Sequence, residues 1–136
     1  MRYRIVPVTP FRQNCSLLWC PEAMAGAVVD PGGDLDQIEA AITEEGVTVG
    51  KILITHGHAD HAGGAAELAE RLGVAIEGPH LDDDFLIEAM AHQAQRTGLV
   101  GARAFTPARW LDEGECVSFG QVQLSVIHCP GHTPGH

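Results

Sequence analysis

The sequence is poor in aromatic residues and in basic residues. Only 5% of its 136 residues are aromatic, and eight Lys and Arg stand against eighteen Asp and Glu. The formal net charge is −10 with neutral histidines. Because so acidic a chain repels a phosphate backbone, we expect no nucleic-acid partner.

Long apolar runs and paired cysteines are also missing. The stretch after Arg4 is broken by Pro7 and Pro10, so it lacks the continuous apolar segment of a signal peptide, and no run is long enough to span a bilayer. The four cysteines form no CxxC pair. We therefore expect a cytoplasmic protein with reduced thiols and no membrane partner, and we expect Cys129 to be a small buried residue at a strand end.

The remaining composition predicts one compact domain over residues 1–136. Hydrophobic residues make up 45% of the chain, and no repeat or linker interrupts it. Strand-like runs cover residues 2–8, 15–19, 27–29, 51–54, 74–76, 109–111, 116–119 and 121–129. Helical patterns cover 34–46, where Asp34 is the expected cap, and 65–72 and 82–97. This order of elements predicts an α/β or layered α+β domain.

Histidines are frequent and cluster in two short segments. The first is His56-Gly-His58-Ala-Asp60-His61, between a buried-type strand and a helix. Since alternate residues of an extended segment project to one side, His56 and His58 can bind one metal ion, with Gly57 leaving room for the turn. Asp60 and His61, at the start of the helix, could face a second ion.

The third ligand of the first ion is expected in the second segment, residues 128–136. A catalytic zinc ion usually takes three protein ligands and keeps one position open. We favour His132, which lies in a turn between Gly131 and Thr133.

Other polar residues have simpler interpretations. His80 and His92 are expected at the surface, and Asp82, Asp83 and Asp84 as the solvated start of a helix. Asp30 has two open interpretations, because it could hydrogen-bond the loop of His56 and His58 or form an Asx turn.

Both histidine motifs resemble those of the metallo-β-lactamase superfamily, and Gly-His132-Thr-Pro-Gly-His136 resembles its glyoxalase II branch. The segments 3–9, 13–16 and 29–33 are similar to those of compact YcbL-type glyoxalase II proteins. The resemblance implies an αβ/βα sandwich. It assigns His56, His58 and His132 to the first metal and Asp60 and His61 to the second, and it gives His136 no ligand role.

The family pattern continues beyond the Gly-His-Thr motif, with a bridging aspartate, one more histidine and the rest of a second sheet. We therefore expect a chain truncated at its C-terminus, in which the second half of the sandwich is incomplete. An exposed apolar patch on the strand of Val122, Leu124 and Val126 would then favour self-association or misfolding.

The function implied by the resemblance is metal-dependent hydrolysis of glutathione thioesters such as S-lactoylglutathione, as in hydroxyacylglutathione hydrolases. One or two zinc ions, or iron or manganese, would supply a metal-bound hydroxide that Asp60 orients as the catalytic residue. One alternative is a persulfide dioxygenase with a single non-haem iron, and another is a metal-binding fragment without turnover. A secreted lactamase is disfavoured by the missing signal peptide, and a nuclease by the charge.

Overall fold

The computed structural model describes all 136 residues and is built around a five-stranded mixed sheet. Three antiparallel strands, β1 (Arg2–Val8), β2 (Gln13–Cys20) and β3 (Ala25–Val29), are followed by β4 (Thr48–Leu53) and β5 (Ala75–Glu77), which run parallel to β3. A separate antiparallel pair consists of β6 (Cys116–Phe119) and β7 (Val122–Ser125).

Five α-helices and one short 3₁₀ helix connect the strands. They are α1 (Leu35–Glu45), α2 (Ala59–Ala62), α3 (Ala65–Leu72), the 3₁₀ helix Leu81–Asp83, α4 (Asp84–Glu88) and α5 (Met90–Thr97). Helix α1 contacts β1 and β2, and α3 contacts β4 and β5. No helix combines the length and the apolar character that crossing a bilayer requires.

The central sheet is covered on both faces. Along β2, Leu17 belongs to the main core on the helix side, whereas Leu18 packs against the smaller cluster beneath β6. Along β4, Ile52 belongs to the main core and Leu53 to the smaller cluster. Since successive side chains of a strand point to opposite faces, burial on both faces explains the almost wholly apolar run before His56.

The α/β class is confirmed, and so are most of the predicted elements. The single helix over 82–97 is wrong, because the chain breaks between α4 and α5 at Ala89. At this break, the Gln93 side chain donates a hydrogen bond of 2.8 Å to the Leu86 carbonyl. That carbonyl would otherwise accept the backbone N–H of Met90, four residues further on.

Two strand predictions also differ from the structure. Residues 109–111 form only one bridge, between Arg109 and Glu77, although the Leu111 N–H also donates to the Pro79 carbonyl at 3.0 Å. Strand β7 ends at Ser125, which pairs with Cys116 at the beginning of β6. Cys129 is consequently outside the strand and exposed, so its predicted burial is wrong.

Asp34 occupies the predicted N-cap position of α1, but its side chain does not cap the helix. Asp34 adopts a left-handed conformation with φ of 49° and makes no side-chain cap. Its carboxylate accepts the backbone N–H of Thr9 at 2.7 Å instead. The residue therefore ties the turn after β1 to the beginning of α1.

Candidate metal centre

The two histidine segments meet at one edge of the central sheet. Strand β4 ends at Leu53, and the loop that follows carries His56 and His58 into α2. The end of β3 lies beside it and leads into Asp30. Because β3 and β4 are parallel, their carboxyl ends open at the same edge, where sites of α/β sheets usually lie.

Three imidazoles from these segments could hold one ion. His58 Nδ1 lies 3.1 Å from His132 Nε2, although 74 positions separate the two residues. The His56 ring centroid lies 4.9 Å from that of His58 and 4.8 Å from that of His132. One ring nitrogen of each residue lies within 4.8 Å of the other two, so a small shift would bring all three to a shared ion.

His56 is oriented so that one nitrogen lacks a partner. The Thr55 hydroxyl donates its only proton to Asp30 Oδ2 at 2.7 Å, so its 2.9 Å contact with His56 Nδ1 requires the proton on Nδ1. His56 Nε2 then bears a lone pair, and it is buried without a hydrogen-bond partner. An unpartnered imidazole nitrogen surrounded by other histidines fits a metal ion.

Burial and the neighbouring histidines keep His56 neutral. Burial is the main cause that lowers its pKa to about 3, and the charges of His61, His58 and His132 lower it further. The pKa of His58 is also lowered, first by burial and then by His132. Both imidazoles are therefore unprotonated at neutral pH, as metal ligands must be.

A second group joins Asp30, His56 and His61. Their ligand atoms also lie within 4.8 Å of one another. Burial lowers the pKa of His61, but its hydrogen bond to Asp30 and the charges of Asp30 and Asp60 outweigh burial, so the pKa is raised overall. Asp60 Oδ2 lies 3.6 Å from His61 Nε2, and Asp60 belongs to neither group.

The structure decides between the two interpretations of Asp30. Its carboxylate accepts the Thr55 backbone N–H at 2.8 Å and the Thr55 hydroxyl at 2.7 Å, and it lies 2.9 Å from His61 Nδ1. Asp30 thus fixes the loop before His56 and the ring of His61. Of the two interpretations, the hydrogen bond to the loop that carries His56 and His58 is therefore the correct one.

Asp83 is a residue of the candidate site that the sequence interpretation missed. It is completely buried, so the predicted solvated position is wrong for this residue. Its carboxylate accepts the Gly57 N–H at 2.9 Å, the Thr133 hydroxyl at 2.7 Å and the Gly135 N–H at 2.7 Å. One carboxylate therefore joins the loop of His56 and His58 to the loop of His132.

Gln93 is a second missed residue, and it holds the same loop from α5. Its side-chain amide donates to the Gly57 carbonyl at 3.0 Å and accepts the Ala59 N–H at 3.1 Å. A Cβ atom at Gly57 would lie 2.6 Å from Leu86 Cβ, so glycine is needed there for close packing against α4 rather than for the turn. The pattern of apolar and polar residues contains no signal for either contact.

The remaining histidines lie in different surroundings. His92 is exposed, as predicted, whereas His80 is half-buried and stacks on His128. The ring of His136 lies 5.1 Å from that of His56 but belongs to neither group of possible ligands at this edge.

The metal-free chain is expected to lose stability as the pH falls from 6.5 to 5. His56 titrates near 6.5 in the unfolded chain and near 3 in the folded chain. Its stabilising contribution is therefore complete above pH 6.5 and falls by about 2 kcal/mol at pH 5. The raised pKa of His61 acts in the opposite direction, because its stabilising contribution is complete only below pH 6.5 and is lost as the pH rises, so the net loss between pH 7 and pH 5 is smaller than that of His56 alone.

Urea unfolding at pH 7 and pH 5 measures this difference in the wild type and in His56→Gln, which lacks the titrating ring. We expect a smaller pH dependence in the variant. Equal pH dependence in the two proteins would contradict the assignment to His56.

Proteins similar to this chain are known over nearly its whole length. The profile of the Metallo-beta-lactamase superfamily matches residues 8–136. The chain is 44% identical over 137 residues to hydroxyacylglutathione hydrolase GloC of Haemophilus influenzae, with 100% of this chain and 64% of that protein covered. The chain thus spans slightly less than two thirds of the length of this relative.

Two solved structures have the same fold over nearly the whole chain. One is TTHA1623 in a di-iron-bound form, with a TM-score of 0.84 at 33% identity. The other is the B3 metallo-beta-lactamase BLEG-1, with a TM-score of 0.84 at 26% identity. Each alignment covers 98% of this chain and 64% of the other.

Proposed function

Because the chain belongs to the metallo-β-lactamase superfamily, we propose that it carries the metal centre of a hydrolase of glutathione thioesters, such as S-lactoylglutathione. The observation that carries this proposal is the buried, unpartnered Nε2 of His56, which lies beside His58 and His132. The substrate class is supported by the relative at 44% identity, which is a hydroxyacylglutathione hydrolase.

In this proposal His56, His58 and His132 hold a first ion, and Asp60 and His61 face a second. One or two ions of zinc, iron or manganese suit imidazole and carboxylate ligands. Once bound, such an ion would acidify a water molecule and polarise the thioester carbonyl.

Asp60 is the proposed catalytic residue. Its side chain is 30% exposed, so substrate and water can reach it, and it lies in the first turn of α2. Its carboxylate would accept a hydrogen bond from the attacking water, orient that water and take up its proton. The leaving glutathione thiolate needs no proton donor, because a thiol pKa of about 8.5 makes it a good leaving group.

A cysteine nucleophile is not needed, and the buried cysteine beside the site is unsuited to that role. Burial is the main cause that raises the pKa of the Cys15 thiol, and the charge of Asp30 raises it further. The thiol is therefore protonated at neutral pH and does not attack a thioester.

A persulfide dioxygenase is the competing assignment within the superfamily. Two histidines and a carboxylate, as in the group of Asp30, His56 and His61, would suit a single non-haem iron. However, the Asp30 carboxylate already accepts both Thr55 donors and contacts His61, and its side chain is only 7% exposed. Oxygen uptake with glutathione persulfide would support the dioxygenase and contradict the hydrolase.

The Asp60→Ala variant is expected to lower the rate of S-lactoylglutathione hydrolysis by the metal-loaded protein about 10²- to 10⁴-fold, because water loses its base. The rate is measured as loss of thioester absorbance. Asp36→Ala is the matched control, since Asp36 is 94% exposed on α1. Wild-type turnover by Asp60→Ala would contradict the mechanism, and a loaded chain without turnover would favour the metal-binding fragment.

We also propose a cytoplasmic location, which the four free cysteines support. The substrate is a small molecule in this proposal.

Self-association of the chain stays a prediction. Val122, Leu124 and Val126 are half-buried against the smaller core, and Ile127 is 71% exposed.

A further inference from the structure

A second cluster of metal-competent side chains lies outside the centre described above. It consists of His80, Asp82 and His128, whose ligand atoms all lie within 4.8 Å of one another. The imidazoles of His80 and His128 are stacked, with ring centroids 4.2 Å apart and planes inclined by 14°, so one ring must rotate before both lone pairs can meet one ion. We propose that this cluster binds a divalent transition-metal ion and thereby links residues 80–82 to the loop that carries His132.

The hydrogen bond of His128 leaves one of its nitrogens free for an ion. His128 Nε2 lies 2.9 Å from the Pro134 carbonyl oxygen. Because a carbonyl only accepts, the imidazole proton must lie on Nε2, and Nδ1 bears the lone pair. Histidines that bind metals usually donate their other N–H to such a carbonyl.

His80, in contrast, already uses its lone pair in a hydrogen bond. Its Nδ1 accepts the Asp82 backbone N–H at 3.1 Å and lies 3.5 Å from Asp82 Oδ2. The proton of the neutral ring is then on Nε2, which faces Asp112 Oδ1 at 3.5 Å. An ion would replace the backbone N–H as the partner of Nδ1 and would also contact the Asp82 carboxylate.

The charges around the cluster favour a cation. Asp82 and Asp112 form no ion pair with Lys or Arg, and the only ionisable partner of each within ion-pair distance is the imidazole of His80. Their side chains are 58% and 74% exposed, so an ion from solvent can reach them. Two uncompensated carboxylates beside two imidazoles give a negative site with nitrogen ligands.

The ligand types define the class of ion. Two imidazoles and one carboxylate suit zinc, copper or nickel, whereas magnesium and calcium prefer oxygen ligands only. Water would complete the coordination. Because His128 precedes His132 by four residues, a bound ion would restrict the loop that brings His132 to the first centre.

Zinc titration of the chain tests the proposal without relying on hydrolysis. Wild type and His80→Gln are first loaded at the main centre by dialysis against limiting zinc, and further zinc is then added in a calorimeter. The variant should bind the additional ion at least about tenfold more weakly than the wild type does. Over the zinc concentrations that saturate the wild type, we therefore expect one more bound ion per chain in the wild type than in His80→Gln. Saturating zinc should also raise the melting temperature of the wild type more than that of the variant.

His92→Gln is the matched control, because His92 is exposed and outside the cluster. It should retain the stoichiometry of the wild type. If His80→Gln does not fold, Asp82→Asn provides the test, since it keeps both rings and should still weaken the additional ion. A wild type that binds no additional zinc, or variants that bind it as the wild type does, would overturn the proposal.

Discussion

The Asp83→Ala variant is expected to unfold more easily and to bind zinc more weakly. The substitution leaves the Gly57 N–H, the Gly135 N–H and the Thr133 hydroxyl without their shared acceptor. Each buried donor without a partner costs about 1–3 kcal/mol, so we expect a loss of roughly 4 kcal/mol in the free energy of unfolding. Since the two histidine loops lose their connection, zinc affinity should fall about 10- to 100-fold.

Urea unfolding of the metal-free protein and competition for zinc with a coloured chelator measure the two effects. Asp84→Ala is the matched control, because the neighbouring half-buried carboxylate accepts none of these hydrogen bonds. If Asp83→Ala is too unstable to purify, Asp83→Asn keeps the shape and should show intermediate losses. Wild-type stability and zinc affinity in both Asp83 variants would contradict the role of this residue.

Removing the His132 imidazole is expected to weaken the first metal site even though the fold remains. His132 is exposed, so His132→Ala should change the stability of the metal-free chain by less than about 1 kcal/mol. Structural zinc sites bind with roughly 10–16 kcal/mol shared among four ligands. The loss of one ligand should therefore raise the dissociation constant for zinc by about 10²-fold or more.

Competition titrations of His132→Ala against His92→Ala test this expectation with a matched exposed histidine. The second control is His136→Ala, which should bind zinc within a few-fold of the wild type, because His136 belongs to neither group of possible ligands at this edge. Zinc affinity unchanged in His132→Ala, or reduced equally in His92→Ala, would exclude His132 as a specific ligand.

Local patterns were sufficient to predict most of the fold. The apolar run 51–54 predicted a strand buried on both faces, and β4 packs into both cores through Ile52 and Leu53. The apolar spacing from Ala65 to Leu72, followed by Gly73, predicted α3 with its bounds. In these elements the burial of each side chain follows from the periodicity of the element itself.

Features that depend on distant residues could not be predicted in this way. Asp82, Asp83 and Asp84 are identical in type, and only Asp83 is buried, because its partners Thr133 and Gly135 lie about fifty positions away. The break at Ala89 depends on Gln93, whose side chain donates hydrogen bonds to the carbonyls of both Gly57 and Leu86. In both places a tertiary hydrogen bond overrides a local helix pattern.

The most direct test of the metal centre is the amount of metal per purified chain, determined by elemental analysis after zinc loading and dialysis to remove weakly held ions. The structure predicts at least one retained ion per chain, held by His56, His58 and His132, and a second if Asp60 and His61 hold another. A folded chain that retains no ion would contradict the account.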